Sequence, residues 1–275
     1  MKHLPDNFRW SFSKLASYLQ CPYSFYLTYI KDEREDEVEN YFSQYGSHAH
    51  RILEQWANDE LPAFLMADAW RDGYDEAVNM PPPPFPKGMA EKYYNAAVDY
   101  FEHFSGFGDE WEVLSAEKKF VIDIGGYTVS GIADLVLRNK DTGSLWVIDH
   151  KSKSQNSMKK ELNLYRKQLY LYAEWCFREF GVYPEKVSFN MFKEGTFVDE
   201  VFSEAALKET MDWFVSTIKA IETADLFEDW PTKYSSYFCT QICSVALSCD
   251  VYHDKKAEEL DRWRAKKAAE EAMFG

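Results

Sequence analysis

A chain of 275 residues with 46% hydrophobic content can bury a substantial core, which excludes a disordered protein. No apolar run approaches the ~20 residues that span a bilayer, and Met1 to Trp10 lacks an apolar signal core, so the sequence reads as a soluble, cytoplasmic protein without a membrane partner. The net charge of -15 argues against a nucleic-acid ligand, yet Lys151 to Lys167 carries six basic residues against the single acid Glu161, a local basic strip on an acidic body.

Ser13, Leu15, Tyr18 and Leu19, then Phe25 and Tyr26, predict helical segments interrupted around Cys21-Pro22. The run Asp32 to Glu39, with six acids and one arginine, reads as a solvated loop or helix start. Ser47 as N-cap, followed by Ala49, Ile52, Leu53 and Trp56, predicts a helix that ends before Pro62. Further helix is expected over Ala63 to Asn79 and from Lys87 to Phe104, with a loop at Pro81 to Pro86. The pattern then becomes extended: Val113 to Ile124, Tyr127 to Leu137 and Leu145 to His150 predict a three-stranded meander, with turns at Gly125-Gly126 and at Asn139 to Gly143. A long helix follows from Met158 to Phe180, then a hairpin of Lys186 to Phe192 and Phe197 to Phe202. Glu204 to Ala224 and Asp254 to Met273 read as helices on either side of a cysteine cluster. The expected organisation is a mainly helical part over 1-110, a sheet core over 111-203 and a helical part over 204-275. No GxxxxGK motif is present, so no ATP-driven motor is expected.

Asp134 interrupts the apolar run Gly131 to Val136, and Asp149 ends the run Trp146 to Ile148. A turn centred between Asp141 and Thr142 pairs residues whose numbers sum to about 283, which sets Asp134 opposite Asp149. Alternation then puts Asp149 and Lys151 on one strand face, with the His150 carbonyl between them. Two close carboxylates repel unless a cation neutralises them, and oxygen ligands of this kind suit Mg²⁺ or Mn²⁺. A lone D-x-K spacing also fits a buried ion pair with no chemistry; the acid at matching register on the neighbouring strand favours the cation. Cys239, Cys243 and Cys249 fall within eleven residues, Cys21 lies near the other end of the chain, and Cys176 sits on a helical apolar stripe as a small hydrophobe. Clustered cysteines in a reduced compartment suggest metal.

Four segments in order carry a family resemblance: Gly46-Ser47-His48-Ala49-His50-Arg51-Ile52-Leu53-Glu54, Gly131-Ile132-Ala133-Asp134, Ile148-Asp149-His150-Lys151 and Gln168-Leu169-Tyr170-Leu171-Tyr172. Together they resemble the RecB-like branch of the PD-(D/E)XK nucleases, which includes AddB-type nuclease domains and the iron-sulfur nucleases of CRISPR adaptation. The resemblance implies an α/β fold, a restriction-endonuclease-like core with a central mixed sheet flanked by helices, and one nuclease domain over 1-275. It implies a metal-dependent DNA exonuclease of recombination, repair or processing, in which His50, Asp134, Asp149 and the His150 carbonyl hold the metal. His50 is preferred to His48 because it stands four residues after Gly46, as the family's histidine does, and an imidazole ligand makes Mn²⁺ a rival to Mg²⁺. Lys151 would orient or activate water, Gln168 and Tyr172 correspond to a Q-x-x-x-Y element, and Glu117 is an acid of second rank.

Cys21-Pro22 resembles the "CP" element of cluster-bearing relatives, and Cys239, Cys243 and Cys249 their C-terminal triplet. This implies a [4Fe-4S] cluster joining the N- and C-terminal helical segments, with structural Zn²⁺ as the alternative. The triplet departs from the family in one respect, being C-x3-C-x5-C where relatives more often show C-x2-C-x5-C. Two other functions stay open: a catalytically silent DNA-binding or assembly module on the same fold, and a nuclease acting on RNA.

Overall fold

The computed structural model describes residues 4–5, 7–32, 39–84, 86–224 and 230–274, side chains at 263 and 266–274 excepted. Most of the acidic run expected as a solvated loop, residues 33–38, lies outside the described residues. The first helices are α1 (Phe12–Gln20), α2 (Pro22–Tyr29), α3 (Tyr41–Ala57), α4 (Met66–Ala77) and α5 (Met89–Glu102). Pro22 sits in the first turn of α2, where its missing N–H costs nothing, so Cys21-Pro22 separates two helices as expected. α3 starts well before Ser47: Asn40 Oδ1 accepts from the Ser43 backbone N–H at 3.1 Å and Ser43 Oγ accepts from the Asn40 backbone N–H at 3.2 Å, a reciprocal cap. The helix expected from Ala63 opens instead with a 3-10 turn, Ala63–Leu65, ahead of α4.

Five strands follow the expected order: β1 (Trp111–Ile124), β2 (Tyr127–Asn139), β3 (Leu145–His150), β4 (Lys186–Met191) and β5 (Thr196–Val201). Their spatial order is β1-β2-β3-β4-β5, antiparallel throughout except for parallel β3–β4. Gly125 and Gly126 hold φ of 60° and 87°, the left-handed values that a tight hairpin turn demands. Asn139 Oδ1 accepts from the backbone N–H groups of Asp141 and Thr142, both at 3.0 Å, which shapes the second turn. A parallel pair needs a long crossover, and α6 (Gln155–Phe180) supplies it, capped by Ser154 and ended by Gly181 at φ 77°. The remaining helices are α7 (Glu204–Thr223), α8 (Ser236–Gln241) and α9 (Asp250–Phe274).

The chain divides into two compact units. The larger, Asn7–Ala16 with Asn40–Ala220, contains the whole sheet. Its helical core is α3, α4 and α5 packed through Tyr45, Ile52, Trp70 and Phe101, while Leu135, Leu137, Trp146 and Ile148 form the apolar face of the central strands. The smaller unit, Met1–Asp6 with Ser17–Glu39 and Ile221–Gly275, packs Tyr18, Phe25 and Tyr26 around Trp230, whose ring stacks on Phe25 at 5.8 Å. Among the described residues no helix is long and apolar enough to cross a membrane.

Candidate active site

The β2–β3 register fixes the acids. Leu135 pairs with Ile148, Val136 with Val147 and Leu137 with Trp146, the register that the expected turn dictates. Continued by one residue, it sets Asp134 opposite Asp149, on the face away from Leu135 and Ile148. Asp134 Oδ2 accepts the backbone N–H of His150 at 2.8 Å. Asp149 is fully buried, and neither carboxylate oxygen accepts a hydrogen bond of ordinary geometry; its compensation is Lys151 Nζ, 2.5 Å from Oδ2.

Lys151 is itself fixed. Nζ donates to Gln168 Oε1 at 3.1 Å, and Gln168 Nε2 donates to the Tyr172 hydroxyl at 2.6 Å, so the i, i+4 pair on α6 links lysine to phenol. Burial alone would lower the Lys151 pKa, but the charges of Asp149 and Asp134 outweigh it and the net shift is upward. The Tyr172 hydroxyl is pushed well above its ordinary value, first by burial and then by the same two acids. Both groups therefore keep their protons near neutrality.

α3 brings the histidine. His50 Nε2 lies 3.0 Å from the His150 carbonyl, and Nδ1 lies 3.1 Å from Glu117 Oε1 and 3.6 Å from Asp134 Oδ2. Burial lowers the His50 pKa, yet Asp134 and Glu117 carry it up to about 9. Asp134 moves up to about 7, chiefly through burial and then through the charge of Asp149. His50, Glu117 and Asp134 each offer a ligand atom, all within 4.8 Å of one another. Glu117 is thus brought fully into the site. It lies between the pairs Ala116–Leu135 and Lys118–Ala133 with φ of 44°, a strained value for a residue with a side chain.

His48, two residues from His50, goes elsewhere: it is buried, stacks on Trp70 at 4.7 Å, and its Nε2 donates to the Trp70 carbonyl at 3.1 Å. The His150 carbonyl meets His50 Nε2, and the His150 ring meets the His50 ring edge-on at 5.7 Å, contacts Asn190 Nδ2 at 3.0 Å and stacks on Phe107 at 6.3 Å. Asn190 was not singled out in the sequence, although a buried amide within the apolar β4 was a signal; its carbonyl also accepts the Lys151 backbone N–H at 2.9 Å. A cavity of about 670 Å³ opens over the cluster, walled in part by His50, Glu117, Asp134, Lys151, Gln168 and Tyr172.

The basic strip is largely consumed within the protein. Beyond Lys151, Lys153 pairs with Glu161, Arg166 with Glu200 and Glu209, and Lys167 with Glu209. Glu161 belongs to the strip itself, but Glu200 and Glu209 come from β5 and α7, which the local charge pattern does not reveal.

The four clustered cysteines all fall in the smaller unit. Cys21 is the buried residue before α2, Cys239 lies in α8, and Cys243 and Cys249 flank the 3-10 turn Ala246–Ser248. Burial, followed by the charges of Cys239 and Cys21, raises the Cys243 thiol, although Ser24 Oγ at 3.7 Å opposes the shift; Cys249 is raised by burial and then by Cys243 and Cys21. Cys176 is fully buried in α6, and its thiol is pushed up to about 12 by desolvation.

The fold and this residue set define an α/β protein whose sheet sets two acids, one of them in a His50–Glu117–Asp134 group that could hold a metal, beside a fixed, charged lysine. The family model of the PD-(D/E)XK nuclease superfamily matches residues 9–250, and the chain belongs to that superfamily. Among curated proteins, none matches the chain. A solved structure titled "Crystal structure of SSO0001" is similar at 18% identity over 87% of this chain and 93% of the other, with a TM-score of 0.32.

Proposed function

We propose that the protein is a divalent-metal-dependent DNA exonuclease of the RecB-like branch, acting in recombination, repair or DNA processing. The carrying observation is the convergence of His50, Glu117 and Asp134 beside the buried Asp149–Lys151 pair, within a chain of the nuclease superfamily. The DNA substrate and the attack from strand ends rest on the four ordered motifs, from Gly46 to Tyr172, that resemble that branch.

The donor set fits a hard divalent ion: carboxylate oxygens of Glu117, Asp134 and Asp149, the His150 carbonyl, and the His50 imidazole, whose nitrogen favours Mn²⁺ as a rival to Mg²⁺. Asp149, buried without an ordinary hydrogen bond, is the carboxylate most in need of such a partner. When bound, the ion supplies charge neutralisation at the phosphate and a more acidic water. The chain's own residues do the rest. His50 gives up the proton that Glu117 and Asp134 otherwise hold on its ring. Lys151, beside Asp149 and tethered by Gln168, is placed to orient water or a phosphate oxygen. Gln168 holds Lys151 and Tyr172 in place. In the reaction, a water oxygen bonds to phosphorus, one P–O ester bond breaks, and the leaving oxygen takes a proton.

We further assign Cys21, Cys239, Cys243 and Cys249 to a [4Fe-4S] cluster. Support comes from the gathering of four thiols in one unit, where burial and then neighbouring cysteines raise the Cys243 and Cys249 thiols, a situation a cationic centre relieves, and from the resemblance of their motifs. The reading is tested with end-labelled single- and double-stranded DNA, and RNA, incubated with Mg²⁺ or Mn²⁺. Metal-dependent shortening of DNA is expected, absent in Asp149→Asn. DNA binding without cleavage identifies a silent module, and preferred shortening of RNA replaces the DNA assignment.

A further inference from the structure

The active-site cavity has a second wall that hydrolysis does not use. β3 pairs with β2 only at Leu135 to Arg138, whereas β1 and β2 stay paired out to Ile124–Tyr127, so the hairpin past Asp134 is a two-stranded arm. Its other edge is covered near the tip: Trp10 donates its backbone N–H to the Thr128 carbonyl at 2.9 Å and accepts from the Ser130 N–H at 2.8 Å. Phe120 anchors the arm by stacking on Trp175 at 5.2 Å, and Gly131 makes room for that ring, since a Cβ there would lie 2.4 Å from it.

The rungs on either side of Phe120–Gly131 are Lys119–Ile132 and Val121–Ser130. Strand alternation puts these four residues on one face, and all four line the cavity. Val121 is 52% exposed and Ile132 42%, so the face offers apolar surface to solvent beside a catalytic cluster. Arg9, next to Trp10, lines the same cavity. Among the described residues, neither Arg9 nor Lys119 forms an ion pair or a side-chain hydrogen bond; Lys119 only tempers the rise in the Glu54 pKa. This contrasts with Arg138, Lys153, Arg166, Lys167 and Arg178, which are all paired with acids.

We propose that Arg9 and the β1–β2 arm grip the strand entering the active site, with Arg9 and Lys119 on backbone phosphates and Val121 and Ile132 against the bases. The inference rests on the nuclease reading above. Two unneutralised cations beside a catalytic cavity on a chain of net charge -15 call for a polyanion, and the exposed aliphatic pair between them calls for an apolar face. A nucleic-acid strand supplies both at one-nucleotide spacing, but only where its bases are unpaired, because duplex stacking hides their faces. These are positioning residues: they raise occupancy and leave the bond-breaking step alone.

The experiment measures kcat, KM and equilibrium binding by fluorescence anisotropy on a short single strand and on an abasic strand with the same number of phosphates. Proteins compared are the wild type, Arg9→Gln/Lys119→Gln and Val121→Thr/Ile132→Thr, the last keeping β-branched residues in the strands. The charge variant should raise KM about tenfold or more with kcat held, and should make the log–log salt dependence of binding shallower by about 1.4, since each lost contact to a single strand removes ~0.7. The threonine variant should weaken binding to the ordinary strand and leave binding to the abasic strand unchanged. An unaltered salt slope in the charge variant, equal losses on both strands in the threonine variant, or a fall in kcat with KM unchanged would overturn the proposal. Absence of cleavage by the wild type would count against the nuclease reading alone, because the binding arms report on the grip independently.

Discussion

In the sheet-bearing unit, Asp134 and Asp149 meet because the rungs from Leu137–Trp146 to Leu135–Ile148 leave them nowhere else to go. In the smaller unit, Cys21 before α2 and Cys239, Cys243 and Cys249 around α8 have no strand pairing between them among the described residues; aromatic packing on Trp230, the Ser24 Oγ–Cys243 Sγ contact at 3.7 Å and bonds such as Lys233 Nζ to the Leu19 carbonyl at 2.6 Å connect the segments. Both places collect residues distant in sequence, but one is organised by backbone pairing, and the other, on the cluster assignment proposed above, would rely on what its side chains hold. A site of the first kind should lose activity without losing structure. One of the second kind should lose structure with its ligand.

The largest expected effect sharpens this contrast. Asp149→Asn keeps the shape of the side chain but removes the charge facing Lys151 and the metal, and cleavage should fall by about 10³-fold or more, since several kcal/mol of transition-state stabilisation go with it. Circular dichroism should stay native. Retained cleavage would remove Asp149 from the site, and a collapsed spectrum would show that backbone pairing does not suffice to hold it. Chelation should act in the same way: activity is lost with EDTA and returns with Mn²⁺ or Mg²⁺, while the sheet signal persists.

The cysteines should behave oppositely. Anaerobically purified protein should contain about four irons and absorb broadly near ~400 nm. Serine at Cys21, Cys239, Cys243 or Cys249 should bleach that colour and lower Tm by about 5–10 °C, the shift expected when a few kcal/mol of ligand-linked stability disappears. Cys176→Ser should keep the colour, because Cys176 is buried alone on α6. Stoichiometric zinc without iron would exclude the iron-sulfur assignment and leave the nuclease assignment untouched.

How far the sequence discloses this arrangement follows from the same distinction. The β2–β3 register is legible because turn chemistry at Asn139 to Gly143 and strand alternation are local rules, and they suffice to bring Asp134 and Asp149 together. The rest depends on distant partners. The strip from Lys151 to Lys167 looks like a free basic surface until Glu200 and Glu209 arrive from later elements to neutralise Arg166 and Lys167. The full participation of Glu117 depends on a left-handed backbone within β1 that no residue type announces, and the role of Asn190 depends on the parallel pairing of β4 with β3. The apolar periodicity, which points to Ser47, does not reveal the start of α3, because Asn40 and Ser43 cap it together outside that pattern.

The smallest expected effect concerns two histidines of α3 whose surroundings repeat the contrast at close range. His50 is held in its charged form by acids, whereas His48 is kept neutral by burial, with Arg51 adding to the downward shift and the Trp70 carbonyl opposing it. Gly73 on α4 is what admits the His48 ring, since a Cβ there would lie 2.9 Å from Cε1. Because the folded pKa of His48 is below the unfolded value of about 6.5, the unfolded chain takes up a proton first as pH falls. The contribution of His48 to stability should therefore decline from about pH 6.5 downward and level off once the pH passes the folded pKa, with a slope no steeper than the one-proton limit of about 1.4 kcal/mol per pH unit, superimposed on the opposite trend of Asp134, whose pKa raised to about 7 favours the folded state as pH falls. His48→Gln can still donate towards the Trp70 carbonyl but cannot titrate, so it should flatten this acid limb in urea melts of the metal-free protein. His50 contributes in the other direction: its raised pKa gives stability that is complete below about pH 6.5 and is lost as pH rises through about 9, so His50→Gln should flatten the alkaline limb and, by removing the charge that lowers the Asp134 pKa, move the Asp134 contribution to higher pH while leaving the His48 decline in place. Identical pH profiles for the two variants would show that both histidines share one environment, contrary to the separation that Trp70 and Glu117 impose.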